Sequence, residues 1–262
     1  MPSEYPETVR SRHGFLNIWR RADVPIDRLL SLLAESGEVL KRNAKSQTRR
    51  IGTVIAKSSE GNLIVQTARH TAQRARYRRG WHAALHLAAH NIPAPRPLAH
   101  VEWSLAGIIV RHVTILEYLP DCVDVERFAD TLLAGVNGER QLHDFLARLA
   151  AAVNAFVASG AVHTDLAGKN ILTRDGIVFY FIDLDGVVLH TPYTDEKRLL
   201  ALVQLYDSFL DRCGDAHLTP FLAAMLPEGA SIDSWLPRVK ADQAVRRART
   251  VAAWEREGKT AS

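Results

Sequence analysis

Asp165 and Asn170 stand five positions apart in His163-Thr164-Asp165-Leu166-Ala167-Gly168-Lys169-Asn170-Ile171-Leu172. Soon after, the apolar run Val178-Phe179-Tyr180-Phe181-Ile182 ends in Asp183-Leu184-Asp185. Moving a phosphoryl group from a nucleotide needs a hard divalent cation on the phosphate oxygens, a base beside the accepting hydroxyl, and groups that orient both. Hard cations take oxygen donors. Asp183, at the end of its strand, suits the principal metal carboxylate, and Asn170 can return its amide oxygen to the same ion. Asp165, on a turn, suits the base. Taken singly, Asp165 reads as an ordinary surface-turn acid and Asp183 as a turn cap; the combination at this spacing gives the chemistry.

These residues need a scaffold on both sides. Before them, Arg140–Ser159 reads as a long helix burying Leu142, Phe145, Leu146, Leu149, Val153 and Phe156, and Gly160 stops it. After them, helices are expected at 195–212, 218–225 and 237–256. Upstream the pattern is different. Residues 1–24 show no clear periodicity and read as a loose extension, followed by a helix from Pro25 to Leu33. Val39-Leu40-Lys41 reads as a strand, Arg42–Thr48 as a polar loop and Arg50–Ala56 as a second strand. Ser58-Ser59-Glu60-Gly61-Asn62 has turn composition and leads to a strand at Leu63–Thr67. A helix over 71–90 ends at Asn91-Ile92-Pro93-Ala94-Pro95-Arg96-Pro97, where three prolines forbid helix. Strands at 105–110 and 113–116 close this half. The expected organisation is an N-terminal extension with a helix (1–36), a β-rich half (37–119) and a helical half (120–262).

Composition narrows the class. The chain has 262 residues, 47% hydrophobic and 24% charged, as in an ordinary globular protein. Cys122 and Cys213 are far apart, which argues against a disulfide framework or zinc site and fits a reducing compartment. The first residues lack the apolar core of a secretory signal, and no apolar run approaches a membrane span, so a cytoplasmic protein is expected. The net charge of +4 is uneven: residues 37–101 hold twelve Lys/Arg against Glu38 and Glu60, a net of +10, which leaves −6 elsewhere. Such a block is either a solvated face or a dock for phosphates, anionic glycolipid or a membrane surface. Its arginine run lacks interleaved aromatics, so no nucleic-acid partner is expected. His82, His86 and His90, spaced by four without a carboxylate or cysteine, read as helix residues and not as metal ligands. Arg238, Lys240, Arg246, Arg247 and Arg249 read as an exposed basic helix, with a membrane-surface role as the alternative.

The catalytic-loop pattern His-x-Asp-Leu-x-x-x-Asn-Ile-Leu followed by Ile-Asp-Leu-Asp resembles the motif pair of the protein-kinase-like fold. The chain is most similar to the bacterial lipopolysaccharide kinase (Kdo/WaaP) family. Val39-Leu40-Lys41-Arg42-Asn43, Trp81 with Asn91–Ala99, and Ile115-Leu116-Glu117-Tyr118-Leu119 extend the likeness over about 37–210. The resemblance implies an α+β, two-lobed fold: a small antiparallel β-sheet lobe with one helix, a larger helical lobe, and an active site between them. It implies ATP and Mg²⁺ as cofactors and a sugar of the lipopolysaccharide inner core (heptose or Kdo) as acceptor, at the cytoplasmic face of the inner membrane. Aminoglycoside and choline phosphotransferases share the two short motifs, so a small-molecule acceptor is the alternative. Carried over residue by residue, Asp165 is the base, Asn170 and Asp183 are metal ligands, and the backbone of Glu117, Tyr118 and Leu119 pairs with adenine. His163 braces the loop, Lys169 neutralises phosphate, and Asp185 is a second polar group near the metal. Thr164 in place of the usual arginine argues against control by activation-segment phosphorylation.

The nucleotide half departs from the pattern. With the turn at 58–62, the strand lysine that grips the phosphates falls at Gln66, and residues 68–101 hold no Asp or Glu to pair with it. Three readings compete. A displaced cation, Lys45 or Arg49/Arg50, reaches the phosphates; or the chain is a pseudokinase that binds nucleotide weakly; or Val54-Ile55-Ala56-Lys57 is the true lysine strand. The intact Asp165, Asn170 and Asp183 favour an active enzyme.

Overall fold

The computed structural model describes residues 8–42, 46–59, 74–105 and 108–256. The chain divides into two compact units: Met1–Asp121 with Phe181–Val187, and Cys122–Tyr180 with Val188–Ser262.

The first unit is built on an antiparallel sheet of seven strands among the described residues, in the order β1-β2-β6-β7-β5-β4-β3. In chain order these are β1 (Thr8–His13), β2 (Leu16–Arg21), β3 (Glu38–Arg42), β4 (Ser46–Ile51), β5 (Val54–Ser59), β6 (Pro97–Leu105) and β7 (Ile108–Glu117). Among the described residues two helices belong to it, α1 (Ile26–Ala34) and α2 (Arg74–Ala89). Strand alternation gives the sheet two faces. Ile18, Ile51, Val54, Ala56, Ala99, Val101, Val113 and Ile115 form one face and bury Leu29 of α1, with Ile26, Leu30 and Leu33 packed around it. The alternate residues, among them Lys57, His100, Glu102 and Thr114, belong to the face that meets α2.

Three expectations change here. The strands expected at 105–110 and 113–116 are the end of β6 and the single strand β7. In the segment expected as a loose extension (1–24), residues 8–21 form a hairpin of β1 and β2, β2 pairs with β6 in the register Ile18↔Val101, and residues 1–7 lie outside the described residues. The signal was weak because most of these positions are half exposed and several are arginines, as edge strands tend to be. The third change concerns the turn expected at 58–62: Ser58 and Ser59 are strand, and residues 60–62 lie outside the described residues. The chain reverses at Gly52-Thr53, with Ile51↔Val54 closing the ladder. Gly52 has φ +55°, the left-handed conformation that a two-residue hairpin loop requires and glycine supplies without strain. The expected strand Arg50–Ala56 is therefore two strands, and β5 runs on through Ser58 and Ser59. The strand expected at 63–67 lies outside the described residues.

α2 is fastened to the sheet by a buried ion pair. Arg78 donates from Nε and an Nη to Glu102 Oε1 and Oε2, both at 2.6 Å. The same guanidinium lies 4.3 Å from the Trp19 ring centroid. Glu102 is 1% exposed. His100 lies 3.4 Å from it and accepts or donates at 2.9 Å with Thr114 Oγ1 on the far side. Burial resists ionisation of Glu102, but the hydrogen bonds from Arg78 and His100 outweigh it and lower its pKa to about 2.

The second unit is helical. It contains α3 (Val125–Leu133), α4 (Gly138–Ala158), α5 (Asp195–Ala223) and α6 (Ile232–Arg256), with short strands β8 (Val123–Asp124), β9 (Ala161–His163), β10 (Ile171–Thr173) and β11 (Phe179–Phe181), of which Phe181 belongs to the first unit. All six apolar residues expected on the buried side of α4 are buried. α5 joins the two helices expected at 195–212 and 218–225 across a kink at Gly214, whose φ of 65° and ψ of −177° no helix accommodates. No described helix is long and apolar enough to cross a membrane.

Replacing Arg78 with Met is expected to cost about 3–5 kcal/mol at pH 7, because it strands a buried carboxylate. The folded pKa of Glu102 lies below its ordinary value, so the pair's contribution is present above about pH 4.5 and fades as pH falls toward 2. Urea midpoints of wild type and Arg78→Met should therefore converge in acid; a constant gap would contradict the assignment.

Candidate active site

In the second unit the acid and the amide of the loop come together as their spacing predicts. β9 ends at His163, a buried ring whose Nδ1 accepts from Asp165 N at 3.1 Å. Asn170 lies at the end of a short 3-10 turn (Gly168–Asn170). Its Nδ2 donates to Asp165 O at 2.8 Å and to Asp165 Oδ2 at 3.1 Å. Both partners are acceptors, so the nitrogen must face them, and the Asn170 oxygen is the atom left for a cation. Lys169 Nζ lies 3.6 Å from Asp165 Oδ2, and Arg246 Nη2 of α6 lies 3.8 Å from Asp165 Oδ1.

The loop's backbone is held by side chains that the sequence reading passed over. Gln204 accepts from Leu166 N at 2.6 Å and donates to Thr164 O at 3.0 Å. Ser208, one turn later on α5, accepts from Gly168 N at 2.9 Å. Glu126 Oε1 accepts from Lys169 N at 3.0 Å. A Cβ on Gly168 would lie 2.6 Å from Glu126 Cγ, so only glycine admits this approach. Gln204 and Ser208 are buried polar residues one turn apart on an otherwise apolar helix face. That pattern was the available signal.

The first unit holds the acidic turn. Phe181 N donates to Pro93 O at 3.1 Å, and Asp183 follows in the left-handed region at φ 57°. Asp183 Oδ1 and Asp185 Oδ2 each lie 2.5 Å from Lys57 Nζ. Burial works against the Lys57 ammonium, but Asp185 and then Asp183 outweigh it and raise its pKa. Of the three readings of the missing lysine, this pairing is the geometry that the third, with Val54-Ile55-Ala56-Lys57 as the lysine strand, calls for. Arg49 sits on β4, and its Nη1 contacts Glu35 O at 3.4 Å. Gln66 and Lys45 lie outside the described residues.

The helix glutamate is absent, as the sequence predicts, and a glycine helps to explain how the unit manages without it. A Cβ at Gly80 of α2 would lie 2.3 Å from Asp185 Oδ1. The helix approaches the acidic turn closely enough for the turn itself to supply both carboxylates to Lys57. These carboxylates converge on a single positive charge, which is the donor arrangement a hard divalent cation uses. Among the described residues no group of three or more His, Cys, Asp or Glu forms a metal cluster.

Glu117 and Tyr118 follow at the end of β7. Their amides are engaged, Glu117 N with Arg96 O and Tyr118 N with Thr53 O, both at 2.9 Å, and Arg50 stacks 4.1 Å over the Tyr118 ring. Leu119 is half-buried beside them. A cavity of about 290 Å³ near these residues, lined by Val54, Ile115 and Leu29, belongs to the α1 face and not to the Lys57 face.

A strand lysine paired with an acidic turn in one unit, and a braced Asp–Asn loop after a buried helix in the other, define a kinase of the protein-kinase-like class. The Lipopolysaccharide kinase (Kdo/WaaP) family model matches residues 39–224, and the chain belongs to that family. No curated protein sequence matches it. Among solved structures, "WaaP in complex with acyl carrier protein" is 19% identical with a TM-score of 0.61, covering 87% of this chain and 96% of that chain, which establishes the fold. Weaker likenesses, too distant to bear on function, are a glucosamine kinase (14% identity, 95% and 82% coverage, TM-score 0.37) and the bifunctional kinase-methyltransferase WbdD (14% identity, 76% and 47% coverage, TM-score 0.44).

Two substitutions test the site. Gly80→Ala should leave thermal stability within a few degrees, since the helix gains about 1 kcal/mol of propensity, while displacing Asp185 and lowering phosphotransfer about tenfold or more. Parallel losses of stability and activity would contradict this. Gln204→Ala leaves Leu166 N and Thr164 O without their partner and should destabilise the protein by about 2–3 kcal/mol in urea unfolding.

Proposed function

We propose that this kinase transfers the γ-phosphoryl group of ATP, with Mg²⁺, to a sugar hydroxyl of the lipopolysaccharide inner core, a heptose or Kdo. The observation that carries the reading is the Asp165 loop. Its carboxylate is 40% exposed, while its backbone is fixed by His163, Gln204, Ser208 and Glu126. That is how a base is held ready for an incoming hydroxyl. Asp165 accepts the hydroxyl proton as the acceptor oxygen bonds to the γ-phosphorus, and the bond from phosphorus to the ADP oxygen breaks. Lys57 neutralises donor phosphate charge, and Lys169 offsets charge on the group in transfer. The backbone of Glu117 to Leu119 receives the adenine. Asp183, Asp185 and the Asn170 oxygen are the donors that would hold Mg²⁺, which would supply positive charge to the phosphate oxygens and the leaving group.

The acceptor class rests on family membership and on the basic block at 37–101, which suits an anionic glycolipid at the cytoplasmic face of the inner membrane and peripheral contact with it. The test is transfer of labelled phosphate from ATP to deacylated core oligosaccharide. Asp165→Asn should lower kcat by about 10²–10⁴-fold with nucleotide binding retained in a thermal-shift assay. In cells, Asp165→Ala should reduce the phosphate content of the core; an unchanged core would sink the proposal.

A further inference from the structure

We propose that Arg246, on the C-terminal helix, is a specificity-determining residue that binds an oxyanion of the acceptor, a phosphate or carboxylate close to the reacting hydroxyl. This rests on Asp165 being the base that meets that hydroxyl.

α6 is held in place by its neighbours. Arg247 Nε donates to Asp207 Oδ1 at 2.7 Å, and its two Nη atoms donate to Asp211 at 3.0 and 2.8 Å. Gln243 Nε2 donates to Asp207 Oδ1 at 2.8 Å, and Lys240 pairs with Asp215. Arg246 is spent differently. Its nearest carboxylate atoms are Asp207 Oδ2 at 3.5 Å and Asp165 Oδ1 at 3.8 Å, both longer than the roughly 2.7–2.9 Å of a committed charge-assisted hydrogen bond. The side chain is 36% exposed, and Nη1 has no acceptor among the described residues.

Asp165 therefore stands between two half-committed cations, Arg246 by Oδ1 and Lys169, 62% exposed, by Oδ2. An anionic acceptor approaching this carboxylate meets like-charge repulsion. A guanidinium fork beside it offers the planar paired donors that phosphate and carboxylate take up, and it offsets that repulsion. Arg246 also lies beyond the family-matched span of 39–224. A residue outside the shared machinery suits discrimination among acceptors better than the common phosphoryl chemistry.

The experiment measures steady-state kinetics with the full chain on deacylated core oligosaccharide in three forms: untreated, dephosphorylated and carboxyl-reduced. Wild type should prefer the untreated acceptor, and the treated form that loses this preference identifies the oxyanion. Arg246→Ala should raise KM for the untreated acceptor about tenfold to a hundredfold, leave KM for that neutralised form unchanged, and be partly rescued by Arg246→Lys. Arg249→Ala, an exposed neighbour, is the control. Equal loss on all three acceptors, or a fall in melting temperature with KM unchanged, would overturn the role of Arg246 while leaving the proposed reaction standing. No transfer by wild type to any form would overturn both.

Discussion

Lys57 and its two carboxylates are the constraint from which the first unit follows. Asp183 and Asp185 sit two residues apart on one tight turn, and like charges so close need a cation between them. An ammonium 2.5 Å from both supplies it. The carboxylates are about half exposed, so water screens the attraction and the net gain is modest. The geometric consequence is larger than the energetic one. β5 must present Lys57 on the face opposite the α1 core, the turn must place Asp183 in the left-handed region, and α2 must pass with no side chain at Gly80.

The polarity of the helix–sheet contact follows from the same point. With the turn supplying both acids to the lysine, α2 is free of carboxylates, and its own bond to the sheet runs in reverse. The cation, Arg78, is on the helix and the acid, Glu102, is on β6. The sequence holds the clue in plain sight: the acid-free stretch of 68–101 ends one residue before Glu102. One ion pair positions the helix and a separate one positions the lysine, so docking of the helix and readiness of the acidic turn rest on different residues.

What the sequence revealed was what is local. Asp165 and Asn170 are five residues apart, and their contact closes within that one loop. The apolar stripe of α4 repeats at helical spacing and is buried throughout. What it concealed depended on distant partners or on weak turn chemistry. Gly52-Thr53 is a sparse signal beside Ser58-Ser59-Glu60-Gly61-Asn62, so the sequence conceals the reversal between β4 and β5. Trp19 and Ile18 looked unpatterned because β2 is half exposed. Arg246 and Arg247 are adjacent and chemically alike in sequence; only the packing of α6 on α5 commits one to Asp207 and Asp211 and turns the other toward Asp165.

The hairpin and helix at 8–34 lie wholly before the family-matched span, yet they finish the sheet and cover its apolar face. Homology boundaries and folding boundaries therefore differ in this chain. A fragment cut at residue 39 would retain every residue of the proposed chemistry while laying bare Ile51, Val54, Ala56, Val101, Val113 and Ile115 and leaving β6 as an open edge. Such a fragment is an aggregation hazard during expression, and its silence in an assay would report on solubility and not on catalysis.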